Sequence, residues 1–298
     1  MNNQVGTTQP KFSVVLQSDK VKNLINNTLQ DKDRARRFVT AITSAVATNP
    51  TLQECDNGSI IACALLGEAL NLSPSPVLGN YYLVPFDNKK KGIKEAQFIM
   101  GWKGYYQLAV RSGQYKRINV IEIKEGELEG FNPLTEEIKV NIIEDDMLRE
   151  QKATIGYYAC FEYLNGFKKA IYWSKEKVLQ HADRYSKSFD LATYRKIEAG
   201  QIPKNELWKY SSPYYTMFDE MAKKTVLKQL ISKYGVLSIE MQDAIVKDQS
   251  VIKDDGTYEY VDNPTSDDIF DKEIIEEVDT KEVKEKASKI AKLDEIEE

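Results

Sequence analysis

Histidine and cysteine are scarce in this sequence. It contains one histidine, His181, and three cysteines, Cys55, Cys63 and Cys160, in 298 residues. No CxxC pair occurs, and structural zinc sites use Cys and His at short spacings, which argues against a zinc site. An odd and sparse set of cysteines also argues against a disulfide framework. We therefore expect the three cysteines to be small buried residues of the core.

Motifs of nucleotide-dependent and hydrolytic enzymes are also missing. There is no GxxxxGK[ST] phosphate loop, no GxGxxG fingerprint, no GxSxG elbow and no HExxH helix. The dense carboxylate run Glu144-Asp145-Asp146 could hold a metal ion for a nuclease. It has no spaced partners, however, and a solvated acidic turn is the simpler interpretation. The sequence therefore predicts that the protein has no catalytic site, no metal site and no ATP-binding site. The alternative from the enzyme class is a metal-dependent nuclease.

Long hydrophobic runs are absent as well. The longest, Ile60 to Leu66, is far shorter than the roughly 20 residues that a membrane-spanning helix needs. The amino-terminal sequence MNNQVGTTQPKF lacks the apolar segment of a signal peptide. We expect a cytoplasmic protein.

The net charge of −5 combines a basic region with an acidic one. Residues 239–298 contain 20 Asp plus Glu and 8 Lys, whereas residues 1–238 contain 33 Lys plus Arg and 26 Asp plus Glu. Basic regions bind polyanions, and acidic tails often shield them or recruit partners. Residues 247–268 are too polar for a core. A weak amphipathic pattern over 269–297 predicts a helix that folds on a partner.

Four helices are predicted from apolar spacing and capping residues. They cover Asp31 to Asn49, Ser59 to about Leu72, Ser174 to about Tyr185, and a late helix from Ser212-Pro213 to Tyr234. Pro at the first helical position and Gly235 after the last one are typical helix boundaries.

The middle of the chain is typical of strands. Asn165-Gly166 between two apolar runs is a strong hairpin signal. Residues 124–152 are acidic and irregular, which indicates a β-excursion with a long loop. The predicted strands are Tyr81 to Phe86, Ala96 to Trp102, Tyr115 to Ile123, Ala153 to Leu164 and Phe167 to Trp173.

The stretch GWKGYYQLAVRSGQYKR, residues 101–117, combines rings, cations and glycines. Helical spacing places Lys103, Gln107 and Arg111 on one line, with a core face beside it. Gly101 and Gly104 would let a backbone or a phosphate chain come close. The start of a helix beside a lysine suits a phosphate, although a plain amphipathic helix explains the same pattern.

The late helix carries lysines on a surface that is apolar nearly all round. Because an unpaired buried cation is costly, we expect these lysines to emerge into a groove or into water, the alternative being that they only snorkel to solvent. Rings that stack on bases and cations that follow phosphates form single-strand binding surfaces. The cations and the nearby basic-aromatic clusters are Lys223, Lys224, Lys228, Arg184, Lys187, Trp208 and Lys209.

Several blocks in order resemble the RecT family of phage single-strand annealing proteins, over roughly residues 57 to 236. They are NGSIIACALLGEALNLSP, NYYLVPF, AQFIMGWKGYYQLAVRSGQYKRI, RYSK and SSPYYTMFDEMAKKTVLKQL. The resemblance implies an α+β fold related to lambda Red beta, in which a curved antiparallel sheet is backed by a long helix, with N-terminal helices and DNA in a groove. It also implies an oligomer, either a ring or a helical filament, in a bacterial host cell.

The resemblance further implies an ATP-independent protein that binds and anneals single-stranded DNA in homologous recombination and repair. A passive strand-coating protein is a second alternative. No cofactor is expected, with Mg²⁺ as a candidate modulator of DNA binding. The implied partners are single-stranded DNA, annealed duplex, other copies of the chain, a 5′-to-3′ exonuclease and the host single-stranded DNA-binding protein.

Carried onto this sequence, the family motifs assign DNA-facing residues. The phosphate-facing set is Lys103, Arg111, Arg184, Lys187, Lys223, Lys224 and Lys228. Looser additions are Lys116, Arg117 and Lys209, and the rings that either stack on bases or belong to the core are Trp102, Tyr106 and Trp208. The expected domains are an N-terminal helical segment at 1–50 as a candidate subunit contact, a DNA-binding and annealing core at 51–238, and an acidic, largely disordered tail at 239–298 with the partner-binding helix.

Overall fold

A computed structural model describes residues 10–89, 91–186, 188–253 and 257–260. The described part begins with a group of helices that pack on one another: α1 (Phe12–Gln17), α2 (Asp19–Leu29), α3 (Lys32–Thr48) and α4 (Asn57–Ala69). A 3₁₀ turn, Pro50–Glu54, separates α3 from α4. The helix predicted from Asp31 is confirmed, with the Asp31 carboxylate accepting a hydrogen bond from the Arg34 N–H at 2.7 Å. The predicted second helix begins earlier than Ser59, because Asp56 supplies its N-cap.

Two main sheets follow, and every strand pair in them is antiparallel. The first has the order β1 (Tyr81–Asn88), β2 (Ile93–Met100), β8 (Ser250–Ile252) and β9 (Tyr258–Tyr260). The second has the order β3 (Tyr115–Lys124), β6 (Thr154–Tyr163) and β7 (Lys168–Ser174), and β4 (Leu128–Asn132) pairs with β5 (Glu137–Val140) as a separate hairpin. The predicted mixture of helices and antiparallel strands is confirmed. The described strands are divided between sheets, however, and do not form the one sheet that was predicted.

Helix α10 (Phe218–Tyr234) lies across the second sheet and contacts α5 (Trp102–Arg111). It is apolar nearly all round, so it is buried between these two partners. The late helix was predicted to start at Pro213, but Met217, with φ −142° and ψ 54°, separates the short α9 (Pro213–Thr216) from α10. A side chain at Gly235 would lie 2.5 Å from the Ile231 carbonyl oxygen, so this glycine is required by space.

The remaining helices connect the strands and extend the chain. They are α6 (Asp146–Glu150), α7 (Lys175–Tyr185), α8 (Leu191–Glu198) and α11 (Ile239–Lys247), with a 3₁₀ turn at Lys204–Lys209. The helix predicted from Ser174 is confirmed, since the Ser174 hydroxyl accepts a hydrogen bond from the Lys177 N–H at 3.2 Å.

The chain does not leave the core at residue 238, where the charge pattern placed a domain boundary. Helix α11 packs against α5, and β8 joins the first sheet beside β2. Val251 and Ile252 are buried, although residues 247–268 were expected to be too polar for a core. The Gln249 N–H donates to the Phe98 carbonyl at 2.8 Å, so backbone pairing holds this short apolar segment in place. The predicted partner-binding helix at 269–297 lies outside the described residues.

The cysteines were expected to be buried, and the structure confirms this for two of them. Cys55 and Cys63 are buried, whereas Cys160 is half-buried. Burial raises the pKa of the Cys55 and Cys63 thiols to about 12. Within the described ranges, no helix combines the length and the apolar character that spanning a bilayer requires.

Candidate nucleic-acid interface

The predicted DNA-facing residues that the structure describes fall into separate groups, on α5 and α10, at the start of β3, and on α7 with the 3₁₀ turn that follows α8. At one end, the Trp102 indole N–H donates a hydrogen bond to the Glu220 carboxylate at 2.6 Å and joins the first turns of the two helices. At the other end, the Tyr163 hydroxyl lies 3.1 Å from the Tyr234 carbonyl oxygen. A helix of the length of α10 spans roughly 25 Å. Lys116 and Arg117 follow Tyr115, which pairs with Tyr163, so they lie near this second end of α10. The predicted cations are therefore divided between the two ends and do not form one continuous line.

The first group combines a half-buried ring with two cations. Lys103 is exposed, and its Nζ lies 5.8 Å from the centre of the Trp102 ring, while the Lys223 Nζ lies 5.3 Å from it. Cations at such distances are attracted by an indole ring. A crevice beside this group is lined by Tyr82, Trp102 and Met217 among others. An exposed ammonium and an aromatic face are thus held together at the start of α5.

The glycines at the start of α5 permit a close approach of the protein's own backbone. A Cβ at Gly101 would lie 2.1 Å from the Gly79 carbonyl oxygen, and one at Gly104 would lie 2.2 Å from the Asn80 carbonyl oxygen. The sequence predicted that either a backbone or a phosphate chain comes close to these two glycines. In the structure the backbone of residues 79–80, before β1, occupies that space.

Lys223 is compensated by carboxylates. Its Nζ lies 2.5 Å from a Glu220 oxygen and 3.2 Å from a Glu122 oxygen, and its side chain is 13% exposed. Burial alone would lower the pKa of the Lys223 ammonium, but hydrogen bonds and attraction from Glu220 and Glu122 hold it above its usual value. Lys223 is charged, and any phosphate that reaches it has to compete with two carboxylates.

Lys224 does not emerge into a groove or water, so that expectation is wrong for this residue. It is buried, and its Nζ lies 2.9 Å from Asp248 Oδ1. Lys228 is partly exposed and lies 3.0 Å from Asp248 Oδ2. The same carboxylate accepts hydrogen bonds from the Met100 N–H at 3.0 Å and the Tyr105 hydroxyl at 3.1 Å. Asp248 therefore has the four donors that make a buried lysine tolerable on α10.

The charged groups around Lys224 and Lys223 also have shifted pKa values. Burial alone would raise the pKa of the Asp248 carboxyl, but Lys224 and Lys228 hold it below its usual value. Burial lowers the pKa of the Lys224 ammonium despite the opposing attraction of Asp248. For Glu122, burial again opposes the ion pairs, and Lys124 and Lys223 together lower the pKa of its carboxyl.

The other predicted residues of α5 have structural contacts. The Arg111 guanidinium donates to the carbonyl oxygens of Leu70 at 2.7 Å and Asn71 at 3.3 Å, and so caps the end of α4. Tyr106 is half-buried and packs against the core. The polar line along α5 therefore ends in an arginine that donates from both terminal nitrogens to backbone carbonyls within the protein.

A second group lies at the start of β3. Lys116 and Arg117 are exposed, and the Lys116 Nζ lies 2.8 Å from a Glu162 oxygen on β6. These cations are at the far end of α5 from Trp102, because α5 runs from Trp102 to Arg111 before β3 begins.

The last group lies on α7 and the 3₁₀ turn that follows α8. Arg184 is exposed, with its guanidinium carbon 5.5 Å from the Tyr185 ring centre. Trp208 is 75% exposed, so it is not a core ring. Lys209 is exposed and lies 2.8 Å from a Glu206 oxygen. Lys187 lies outside the described residues.

The carboxylates that pair with the lysines were missed by sequence reasoning. Glu220 precedes Lys223 by three positions on one helix, a spacing that puts the two side chains on the same face and could have been found. Asp248 lies 24 residues from Lys224, and no local pattern links them.

The acidic run considered for a metal ion has another use. The Asp145 carboxylate accepts hydrogen bonds from the N–H groups of Met147 at 2.9 Å and Leu148 at 3.1 Å, and so caps α6. Among the residues that the structure describes, no three His, Cys, Asp or Glu side chains lie close enough together to hold a metal ion. The nuclease alternative therefore gains no support from this run.

Comparison with known proteins gives one consistent result. Residues 36–265 match the model of the RecT family. The uncharacterized protein YqaK of Bacillus subtilis (strain 168) is 42% identical over 229 residues, which cover 77% of this chain and 67% of YqaK. Protein RecT of Escherichia coli (strain K12) is 29% identical over 217 residues, which cover 72% of this chain and 71% of that protein. With a family match over most of its length and a relative of this similarity, the chain belongs to the RecT family.

Proposed function

We propose that the protein binds single-stranded DNA without sequence preference and anneals complementary strands without ATP, acting as an oligomer. Membership of the RecT family supports the general part of this proposal, since the family acts in recombination through single-strand annealing. The finer part, which concerns the surface and the way it works, rests on the arrangement of cations around α5.

The observation that carries the proposal is the group of Trp102, Lys103 and Lys223. An exposed ammonium beside a half-buried indole at the start of a helix suits a phosphate and a neighbouring base at the same time. Lys103 is the exposed member, so we propose that it makes the first phosphate contact. Lys223 follows when phosphate displaces Glu220 or Glu122 from its ammonium group.

The proposed mechanism needs only binding energy. Cations that contact phosphates release counterions from the strand and reduce the repulsion between two strands. A base edge that is left outside the contact remains free to pair, and pairing supplies both the specificity and the driving force. The buried Lys224 supports this surface from within, since it fixes α10 against the segment that carries Asp248.

Several partners belong to this proposal. A 5′-to-3′ exonuclease would produce the single strands, and the host single-stranded DNA-binding protein would occupy them beforehand. We propose that Mg²⁺ modulates DNA binding by screening phosphates and that it is not held in a metal site.

Mixing two labelled complementary strands with the protein in the absence of ATP tests the proposal. We expect faster duplex formation than without protein. Shortened strands would indicate a nuclease, and slower pairing would indicate passive coating; either result would overturn the proposal. Lys103→Glu should slow annealing, whereas Lys196→Glu, an exposed lysine on α8 outside the predicted DNA-facing set, should leave it unchanged.

A further inference from the structure

The second sheet has chemically opposite ends. In the register of β3 and β6, Tyr115 faces Tyr163 at one end and Lys124 faces Thr154 at the other. Ten strand residues at about 3.3 Å each separate the two ends by roughly 30 Å. Residues 142–150, which hydrogen bonds from Ile143 and Arg149 to Glu127 hold beside Lys124, therefore lie far from the β6–β7 turn of the same chain.

The end beyond Lys124 carries an apolar patch surrounded by carboxylates. Met147 is 75% exposed, and Leu148 and Ile142 are exposed beside it in sequence. We define the acidic end surface as these three side chains with the exposed carboxylates of Glu144, Asp146 and Glu150. An exposed apolar patch with a polar rim is typical of an interaction site.

Buried contacts hold the acidic end surface rigidly on the sheet. Arg149 on α6 donates from Nε to Glu127 at 2.6 Å and from Nη2 to the Glu122 carbonyl oxygen at 2.7 Å. Glu127 is fully buried and also accepts from the N–H groups of Lys124 at 2.7 Å and Ile143 at 3.2 Å. The patch is therefore presented by an anchored segment.

The opposite end carries an apolar patch surrounded by cations. Leu164 is 69% exposed and Phe167 is 49% exposed at the β6–β7 turn. We define the basic end surface as these two side chains with the exposed cations of Lys116, Arg117 and Lys168. Phe167 stacks on the Tyr163 ring, with 5.7 Å between ring centres, so its position is fixed by the sheet.

We propose that the acidic end surface of one copy of this chain docks on the basic end surface of the next copy. Each surface has exposed apolar side chains with charges of opposite sign beside them, which is the complementarity that aligns partners and suppresses wrong ones. Glu162 pairs with Lys116 at 2.8 Å and with Lys168 at 3.9 Å, but its side chain is only 11% exposed, so cations dominate the exposed part of the basic end surface. A polyanion is not the occupant of the acidic end surface, because its carboxylates repel phosphates. The two surfaces cannot meet within one chain, since the sheet holds them apart.

Such a contact joins two different surfaces and repeats from copy to copy. It closes into a ring if the rotation between neighbours divides a full turn, and otherwise gives a helical filament. This inference rests on the oligomer of the proposed function and names the surfaces that build it.

Charge exchange tests the inference in the full-length protein without DNA. One variant combines Asp146→Lys with Glu150→Lys, and the other combines Leu164→Glu with Lys168→Glu. The first variant replaces two of the three carboxylates of the acidic end surface with lysines, and the second leaves the basic end surface with two cations and two carboxylates. Each variant alone has therefore lost the charge complementarity of the contact, so the protein concentration at which assemblies appear in sedimentation should rise by about tenfold or more. In an equimolar mixture the introduced lysines meet the introduced glutamates at one contact and the two unaltered ends meet at the next, so the mixture should assemble near the wild-type concentration. The matched control is Lys196→Glu with Lys204→Glu, on exposed lysines elsewhere, which should assemble as wild type.

Two results would overturn the inference. One is wild-type assembly by either variant alone, and the other is a mixture that stays dispersed while both variants show the circular dichroism and melting of the wild type. Strand annealing by the wild type is measured separately. Normal annealing with unaffected assembly would remove only this inference, whereas absent annealing with charge-dependent assembly would remove only the annealing function.

Discussion

Lys224 and Asp248 form an ion pair in the protein interior, with Nζ 2.9 Å from Oδ1 and neither side chain more than 3% exposed. The pair connects the long helix α10 to the residue that follows α11, and Lys228 reaches the other oxygen of the same carboxylate at 3.0 Å. A buried charge that loses its partner is strongly destabilising. This relationship therefore makes a residue near the acidic region important for the stability of the core.

Replacing Asp248 by alanine should destabilise the protein by about 3–5 kcal/mol, because it leaves Lys224 without a counter-charge. Urea unfolding followed by circular dichroism measures the change. Glu206→Ala is the matched control, since its ion pair with Lys209 is exposed and should be worth at most about 1 kcal/mol. Equal unfolding midpoints for the two variants would show that the buried pair is not needed.

The Glu127 carboxylate should make stability depend on pH. Burial alone would raise the pKa of Glu127, but Arg149 and two backbone N–H groups hold it below the ordinary value of 4.5. A lowered folded-state pKa contributes stability above pH 4.5, and this contribution is lost as the pH falls through the folded-state value.

Unfolding free energies measured between pH 6 and pH 3 should therefore decrease less steeply for Glu127→Gln than for the wild type. Glu129→Gln, at an exposed position on β4, should keep the wild-type slope. An unchanged slope for Glu127→Gln would contradict the assignment.

Removal of the Tyr81 hydroxyl should stabilise the protein. Tyr81 is 1% exposed, and its hydroxyl has no hydrogen-bond partner among the described residues. Because such an oxygen loses water without compensation, Tyr81→Phe should raise the free energy of unfolding by about 1 kcal/mol. Gly67→Ala should have the opposite effect on stability, because the added Cβ would lie 2.2 Å from the Tyr81 ring. We expect this variant to have a lower melting temperature than the wild type. A lower stability for Tyr81→Phe would mean that the hydroxyl has a partner.

Lys103→Glu should weaken DNA binding and reduce its salt dependence. Each phosphate contact adds about 0.7 to the slope of log affinity against log salt for a single strand. Fluorescence anisotropy with a short oligonucleotide at several salt concentrations should therefore show a shallower slope for Lys103→Glu than for Lys196→Glu. The same slope in both variants would remove Lys103 from the phosphate contact.

Local signals in the sequence predicted much of the fold. Asp31 and Ser174 cap helices as expected, and the Asn165-Gly166 hairpin joins β6 to β7. The break at Met217 was not predicted, because the helical apolar pattern continues across it and only its backbone angles reveal it. The placement of Lys224 also failed, since its partner lies far along the chain. Exposed positions such as Lys103 and Trp208 were identified as candidates, but which cations lie together depends on packing between α5, α10 and the second sheet.

The position of Asp248 has a practical consequence for truncation experiments. The composition suggests a truncation after residue 238, but that truncation would remove Asp248 and β8. Lys224 would then be buried without its counter-charge, and one edge of β2 would lose its neighbouring strand. A shortened protein made in this way would report on misfolding instead of on the acidic residues. Deletions that begin after Tyr260 keep every described strand and are the ones that can reveal what the acidic residues contribute.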